Sequence, residues 1–257
     1  MYYLGYDIGS SSIKVALVNA ETGVPIAVHK EPTHEMPILA PRSGWAEQNP
    51  EDWWKNACIA TKTLLTNLAI NNTDIVGIGI SYQMHGLVLV DTNGKLLRNS
   101  IIWCDSRAVE IGDSAFRELG SQKCTSHLLN SPANFTASKL RWVKENEPAL
   151  YASIHKMMLP GDYIAFKLSD SIATTLSGLS EGVFWDFKED SIAQWLLDFY
   201  GLNADHLPRV VDTFGIQGNV SAIGAEESGL AEGTPILYRA GDQPNNALSL
   251  NVLNPGE

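Results

Sequence analysis

The sequence predicts an α/β domain with a five-stranded mixed sheet flanked by helices. Three observations lead to this. Three short strand-like runs joined by tight turns open the chain, at residues 2–8, 13–20 and 24–31, the pattern of an antiparallel meander. Amphipathic helices then alternate with buried strands, which implies parallel pairing further into the sheet. A late apolar run, "GTPILYRAGD" (233–242), supplies the last strand.

The elements follow in order. "YYLGYDI" is a strand, "GSSS" (9–12) a turn, "IKVALVNA" a second strand, "ETG" (21–23) another turn and "VPIAVHKE" a third strand. In "SGWAEQNPEDWW" (43–54), Asn49 suits a helix N-cap and Pro50 its first turn, while Glu51 and Asp52 suit the positive end of its dipole. Trp53, Ala57, Ala60, Leu64 and Leu68 then repeat at helical spacing. "DIVGIGISYQ" (74–83) is a buried strand. "GLVLVDTNGKLL" (86–97) is a strand with a turn at Thr92–Lys95. Residues 106–170 read as helix-rich, broken at Glu147-Pro148. "SIAQWLLDFYGL" (191–202) is an amphipathic helix closed by Gly201, and "QPNNALSLNVL" (243–253) opens another.

The 257 residues are 44% apolar and 18% charged, enough for a sizeable core in one large domain or two small ones. The net charge of −11 and the lack of any Lys/Arg cluster exclude a nucleic-acid binder. They do not exclude an anionic nucleotide, because backbone amides and a metal can hold phosphate. Cys58, Cys104 and Cys124 lie at no zinc-ligand spacing and form no Cys-x-x-Cys pair, so they read as reduced thiols. No signal peptide precedes Tyr2 and no apolar run approaches the ~18 residues that span a bilayer. A cytoplasmic protein without membrane contact is therefore expected. A homodimer is left open.

Four stretches carry chemistry. In "GYDIGSSSIKV" (5–15), Asp7 ends an apolar strand, Gly9, Ser10, Ser11 and Ser12 form a turn, and Lys14 stands on the return strand. Such a turn can present N–H groups and hydroxyls to phosphate while Asp7 holds a cation; it can equally be an ordinary hairpin. In "GISYQMHGLV" (79–88) a polar knot interrupts a core strand where valine would serve better. Gln83 and His85 offer hydrogen bonds and Met84 an adaptable apolar surface, or His85 is simply satisfied by backbone. In "IIWCDSRA" (101–108), Trp103 can offer its face to a sugar, while Asp105 and Arg107 can bond hydroxyls or pair with each other. In "YRAGDQPNNALSL" (238–250), Asp242 follows a strand at a helix start, where it can accept a proton or merely cap the helix.

No one motif decides, but the ordered set resembles the FGGY carbohydrate kinases. "DIGSSSIK" resembles their phosphate loop D-x-G-T-S/T-x-x-K. "YQMHG" is similar to the GQMHG element of the xylulokinases among them. "SGWAEQNPEDWW", "IIWCDSR" and "AGDQPNNALSL" resemble WxEQDPxxWW, ILWxDxR and GGDNxxxAxG. The likeness runs the whole chain in the right order. It implies the actin-like (ribonuclease H-like) topology: three antiparallel strands, then two parallel ones.

The resemblance also implies ATP- and Mg²⁺-dependent phosphorylation of D-xylulose at its C5 hydroxyl. Asp242 matches the catalytic base and Asp7 the carboxylate that positions Mg²⁺. Gln83, Met84, His85, Trp103, Asp105 and Asp242 match the sugar contacts, and Gly9 to Ser12 with Lys14 the phosphate contacts. The small partners are then a sugar and ATP. Three departures stand out. Tyr82 replaces Gly, which would narrow the pocket beside Gln83; Gln243 replaces Asn; Ser10 and Ser11 replace Thr-Ser. The ATP-binding C-terminal domain of such kinases has no counterpart in residues 1–257, so the chain is expected to be the N-terminal, sugar-binding domain and inactive alone. A kinase of another ketose or polyol is the nearest alternative, followed by a non-catalytic sugar sensor. Retention of Asp7 and Asp242 speaks against the sensor.

Overall fold

The computed structural model describes residues 1–252, 254 and 256. Its central sheet contains β1 (Tyr2–Ile8), β2 (Ile13–Asn19), β3 (Pro25–Glu31), β4 (Ile75–Tyr82), β5 (Phe214–Asn219) and β6 (Pro235–Gly241), in the order β5-β6-β4-β1-β2-β3. β1, β2 and β3 form the antiparallel meander. β4 runs parallel to β1 and β6 parallel to β4. These five strands pair as the sequence predicts.

The sixth, β5, was not anticipated; it lies antiparallel to β6 at the edge. Its sequence, FGIQGN, hides the strand. Two glycines weaken β propensity, only Gln217 is buried, and the register breaks between Phe214 and Gly218.

Period-2 burial sets the layers. Leu4, Tyr6 and Ile8 of β1 and Ile13, Val15 and Leu17 of β2 share one buried face. Helix α1 (Pro50–Leu68) packs on β2 and β3 there, burying Trp53, Trp54, Ala57, Ala60 and Leu64. Asn49 caps it by accepting from Glu51 N–H at 3.1 Å, with Pro50 in the first turn. Tyr6 and Thr61 hydroxyls, 2.8 Å apart, tie β1 to α1.

Residues 109–119 and 121–127 are helical, followed by α2 (Thr136–Asn146), a short turn of helix restarted by Pro148, and α3 (Pro160–Ser169). The helix-rich reading of 106–170 missed a strand, Lys156–Met158, which pairs antiparallel with Val88–Val90. Three residues are too few to show a period. A further short helix, α4 (Leu176–Glu181), leads toward the predicted helix at 191–202. That helix begins later, at Gln194, because Ser191 and Ile192 pair with Trp185 and Asp186. Gly201 closes it in the left-handed region, φ 60°. The last helix, α5 (Asp242–Ser249), follows β6 directly; of its predicted range, Leu253 lies outside the described residues.

Two apolar cores result. One lies between the sheet, α1 and α3; the other lies under α2, α4 and the 194–200 helix. They meet at residues 87–90, where Leu87 and Leu89 enter the second core and Val88 and Val90 the first.

Candidate active site

β1 ends one side of the site. Asp7 sits opposite Lys14 in the β1–β2 register and accepts from its ammonium at 2.9 Å. Both side chains are about half exposed, so this ion pair contributes little to stability and leaves Lys14 free to meet an anion. Between them Gly9 N–H donates to Ser12 C=O at 3.2 Å, and a Cβ at Gly9 would stand 2.9 Å from that oxygen. The turn is thus closed more tightly than an alanine would allow. Gln48 braces it from outside: its amide donates to Ser10 C=O at 2.6 Å, and its oxygen accepts from Trp53 Nε1 at 3.0 Å. The motif around Asn49 therefore both starts α1 and holds the serine turn.

The polar knot after β4 divides by direction. Gln83 points inward, buried; its N–H donates to Ile8 C=O at 2.9 Å and its amide lies 3.5 Å from Gln48 Oε1. Tyr82 also turns inward. Its ring packs on Gly161, where a Cβ would stand 2.0 Å away. It therefore does not narrow the cavity, contrary to the expectation raised by its replacing Gly.

Met84 and His85 turn outward. His85 adopts φ 61°, the left-handed region. Glu181, at the end of α4, holds it there by accepting the His85 N–H on Oε1 at 3.2 Å and lying 3.0 Å from Nδ1 through its carbonyl. A carbonyl only accepts, so Nδ1 carries the proton and Nε2 is an acceptor. The buried ammonium of Lys139 on α2 donates to His85 C=O at 2.8 Å and to Ile102 C=O at 3.0 Å. Burial pushes His85 down to about 4, with the charge of Lys139 adding to the shift and the Glu181 carbonyl opposing it; burial pushes Lys139 down to about 7 against the opposing charge of Asp105. His85 is thus a neutral imidazole at physiological pH.

The 101–108 stretch behaves as the alternative reading allowed: Asp105 and Arg107 pair with each other. Asp105 is fully buried, accepts from Arg107 Nη2 at 2.7 Å and caps Ala46 N–H at 2.6 Å. Arg107 also meets Glu47 at 2.8 Å and lies 3.8 Å over the Trp45 ring. This lattice fixes the loop so that Trp103, 52% exposed, projects outward, its Nε1 donating to Ser10 Oγ at 3.3 Å.

At the far wall β6 delivers Asp242 to the first position of α5. Burial raises its carboxyl above the ordinary range, with Asp7's charge adding to the shift and hydrogen bonds from Gln243 opposing it. In the parallel registers Ile8 of β1 and Gly241 of β6 both stand opposite Tyr82 of β4, so Asp7 and Asp242 come to the same edge of the sheet although they are separated by most of the chain.

Met84, His85, Trp103, Asp242 and Gln243 line one cavity of about 290 Å³, at the small end of ligand pockets. A larger apolar hollow of about 530 Å³ adjoins it and shares Met84, His85 and Gln243. Of the residues expected to contact sugar, Gln83 and Asp105 are not among those lining the cavity and are buried supports; Asp7, the Gly9–Ser12 turn and Lys14 also lie outside its lining. Sequence reasoning missed Glu181, Lys139 and Gln48. Lys139 left a trace, since it lies on the stripe of Thr136, Leu140 and Val143 that α2 buries. Among the described residues no group of three or more His, Cys, Asp and Glu could hold a metal ion. None of their helices is long and apolar enough to cross a membrane.

Comparison with known proteins fits this geometry. Residues 2–249 match the family described as FGGY family of carbohydrate kinases, N-terminal domain. The xylulose kinase of Bacillus subtilis (strain 168) is 31% identical over 261 residues, covering 100% of this chain and 50% of the relative. The L-xylulose/3-keto-L-gulonate kinase of Escherichia coli (strain K12) is 33% identical, covering 98% and 50%. The crystal structure of xylulose kinase from Rhodospirillum rubrum superposes with a TM-score of 0.90 at 27% identity, covering 100% of this chain and 52% of that one. The chain spans about half the length of the curated relatives it matches. The match over residues 2–249 and the actin-like fold place the chain in its family: it belongs to the FGGY family of carbohydrate kinases.

Proposed function

We propose that these residues form the sugar side of an ATP-dependent kinase whose substrate is D-xylulose, phosphorylated on the C5 hydroxyl to give D-xylulose 5-phosphate. The observation that carries the reading is the convergence of Met84, His85, Trp103 and Asp242 on one small cavity, with Asp7 at the same edge of the sheet. Trp103 offers an exposed aromatic face to the C–H surface of a sugar. Neutral His85 accepts a hydrogen bond from a sugar hydroxyl. Asp242 takes the proton from the hydroxyl being phosphorylated, and its partial burial makes it a better base than a free carboxylate. General-base help of this kind is worth about 10²–10⁴-fold.

The Gly9–Ser12 turn and Lys14 face the transferring phosphate with backbone N–H groups, hydroxyls and one cation. The donor set suits Mg²⁺: Asp7 and nearby Asp242 give one or two carboxylates, and such sites take their other ligands from water and phosphate. Mg²⁺ there would neutralise charge on the phosphate oxygens. ATP contacts beyond the serine turn are assigned to the further length that the relatives have, so residues 1–257 alone should bind sugar without turning it over. A cytoplasmic location goes with this reading.

The test is a panel of D-xylulose, L-xylulose, 3-keto-L-gulonate and glycerol, with ADP release measured for a longer protein containing this chain. D-xylulose should give the highest kcat/KM. A preference for L-xylulose or 3-keto-L-gulonate, the substrates named for the Escherichia coli relative at 33% identity, would replace the substrate and leave the site assignments intact.

A further inference from the structure

His85 is held at three points. Its N–H and ring Nδ1 both meet Glu181, at 3.2 and 3.0 Å, and its C=O accepts from Lys139 at 2.8 Å. The Phe135 ring stands edge-on to it, 4.4 Å between centroids. A left-handed non-glycine residue persists only where its surroundings over-determine it. Glu181 supplies two of the three anchors, one from its side chain and one from its backbone.

Glu181 itself is an odd choice for a packing role. It is 7% exposed, and its Oε2 is buried without a hydrogen-bond partner. A leucine would fill the space without that cost. Oε2 lies 2.6 Å from where a Cβ at Gly241 would stand, so the side chain reaches from His85 to the turn that carries Asp242. Burial also pushes the carboxyl well above the usual range, in keeping with a neutral acid beside the Tyr82 phenol, which likewise lacks a well-formed hydrogen bond.

We propose that Glu181 is the positioning residue for His85: side chain and carbonyl together fix the imidazole with Nδ1 protonated and Nε2 free at the cavity wall as an acceptor for a substrate hydroxyl. The same carboxyl sets the spacing between His85 and the Gly241–Asp242 turn, so it orients both walls without touching the substrate. The role in substrate recognition rests on the sugar-binding reading above; the orientation of the ring does not.

The experiment uses ¹⁵N-labelled residues 1–257 and long-range ¹H–¹⁵N spectra of the histidine rings, with His85→Asn for assignment. Wild type should show His85 neutral with Nδ1 protonated. Glu181→Gln keeps the side-chain oxygen that accepts the His85 backbone N–H and should keep that tautomer; Glu181→Ala keeps the carbonyl facing Nδ1 but releases the His85 backbone from its left-handed conformation, so the ring should leave that carbonyl and shift toward the Nε2–H form that free imidazole favours. D-xylulose titration of the same samples should show Glu181→Ala weaker by about tenfold and Glu181→Gln within about threefold of wild type, as expected for one lost or kept hydrogen bond. A wild-type His85 carrying its proton on Nε2 would overturn the proposal. So would Glu181→Ala with tautomer and affinity both unchanged. If Glu181→Ala does not fold, the wild-type tautomer and the Glu181→Gln affinity decide. Wild type with the expected tautomer but no saturable D-xylulose binding would support the orientation and retire the sugar reading instead.

Discussion

Replacing Arg239 with methionine should come close to unfolding the domain. Arg239 lies in β6, three positions before Asp242, and is 1% exposed. Its guanidinium donates to Asp162 Oδ1 at 2.7 Å, to Gln217 Oε1 at 3.0 Å and to Ala173 C=O at 2.8 Å. All three partners are buried. Methionine fills much of the volume but leaves a carboxylate without its cation and two acceptors without donors. Breaking a buried pair on one side costs about 3–5 kcal/mol. Each orphaned acceptor adds about 1 kcal/mol or more. A loss of roughly 5 kcal/mol or more is comparable to the lower range of whole-domain stability, about 5–15 kcal/mol. Urea unfolding followed by tryptophan fluorescence measures it. The double variant Asp162→Leu/Arg239→Met removes both charges and should recover the share of the loss that comes from the broken pair, while the acceptors of Gln217 and Ala173 and the Leu159 N–H that Asp162 accepts from stay without partners. A single variant that loses less than about 1 kcal/mol would refute the reasoning, because an uncompensated buried charge cannot be that cheap.

Other outcomes follow from the same geometry. Asp242→Asn in a longer active protein should keep D-xylulose affinity within about threefold and cut kcat by about two orders of magnitude or more; near-normal turnover would move the base elsewhere. His85, lowered to about 4 by burial, should keep its neutral ring shifts until the pH falls toward that value. The unfolded chain takes up its proton near 6.5, so the stability that neutral His85 contributes is full above that pH and lost as pH falls toward 4; an NMR midpoint at 6.5 would contradict the burial. Gly161→Ala puts a Cβ 2.0 Å from the fully buried Tyr82 ring, and should cost about 1–3 kcal/mol in urea unfolding; a neutral effect would mean Tyr82 can move aside.

Much of the fold was legible because its signals are local. The meander shows in period-2 burial and short turns, and α1 announces itself through Asn49 and Pro50. β5 was not legible: its glycines and exposed Phe214 and Ile216 carry no alternation, and it exists because β6 offers an edge to pair with. The site was half legible. Asp7, Met84, His85 and Asp242 stand out as polar or soft residues at strand ends. Gln83 and Asp105 looked the same on paper, yet their immediate neighbours in space, Gln48 and Arg107, draw them inward. Glu181 reads as an ordinary charge on a helix, and Lys139 shows only as a charge on the buried stripe of α2. Their part depends on carbonyls and N–H groups some 37 to 96 positions away, which no local pattern encodes.

Residues 87–90 divide their side chains between the two apolar cores, and the cavity lies at the end of that partition. Asp7, the serine turn and Asp242 belong to the sheet side; His85 is moored by Lys139 and Glu181 to helices on the other. The site is therefore a joint whose two halves are anchored in different hydrophobic bodies. A cavity cut into the second core, at Leu140 or Leu179, would loosen one jaw only. Such a lesion should blunt sugar recognition while the phosphate-facing turn keeps its shape. On the proposed sugar-binding reading, distant core substitutions in the second body should change substrate preference and leave the serine turn as it was.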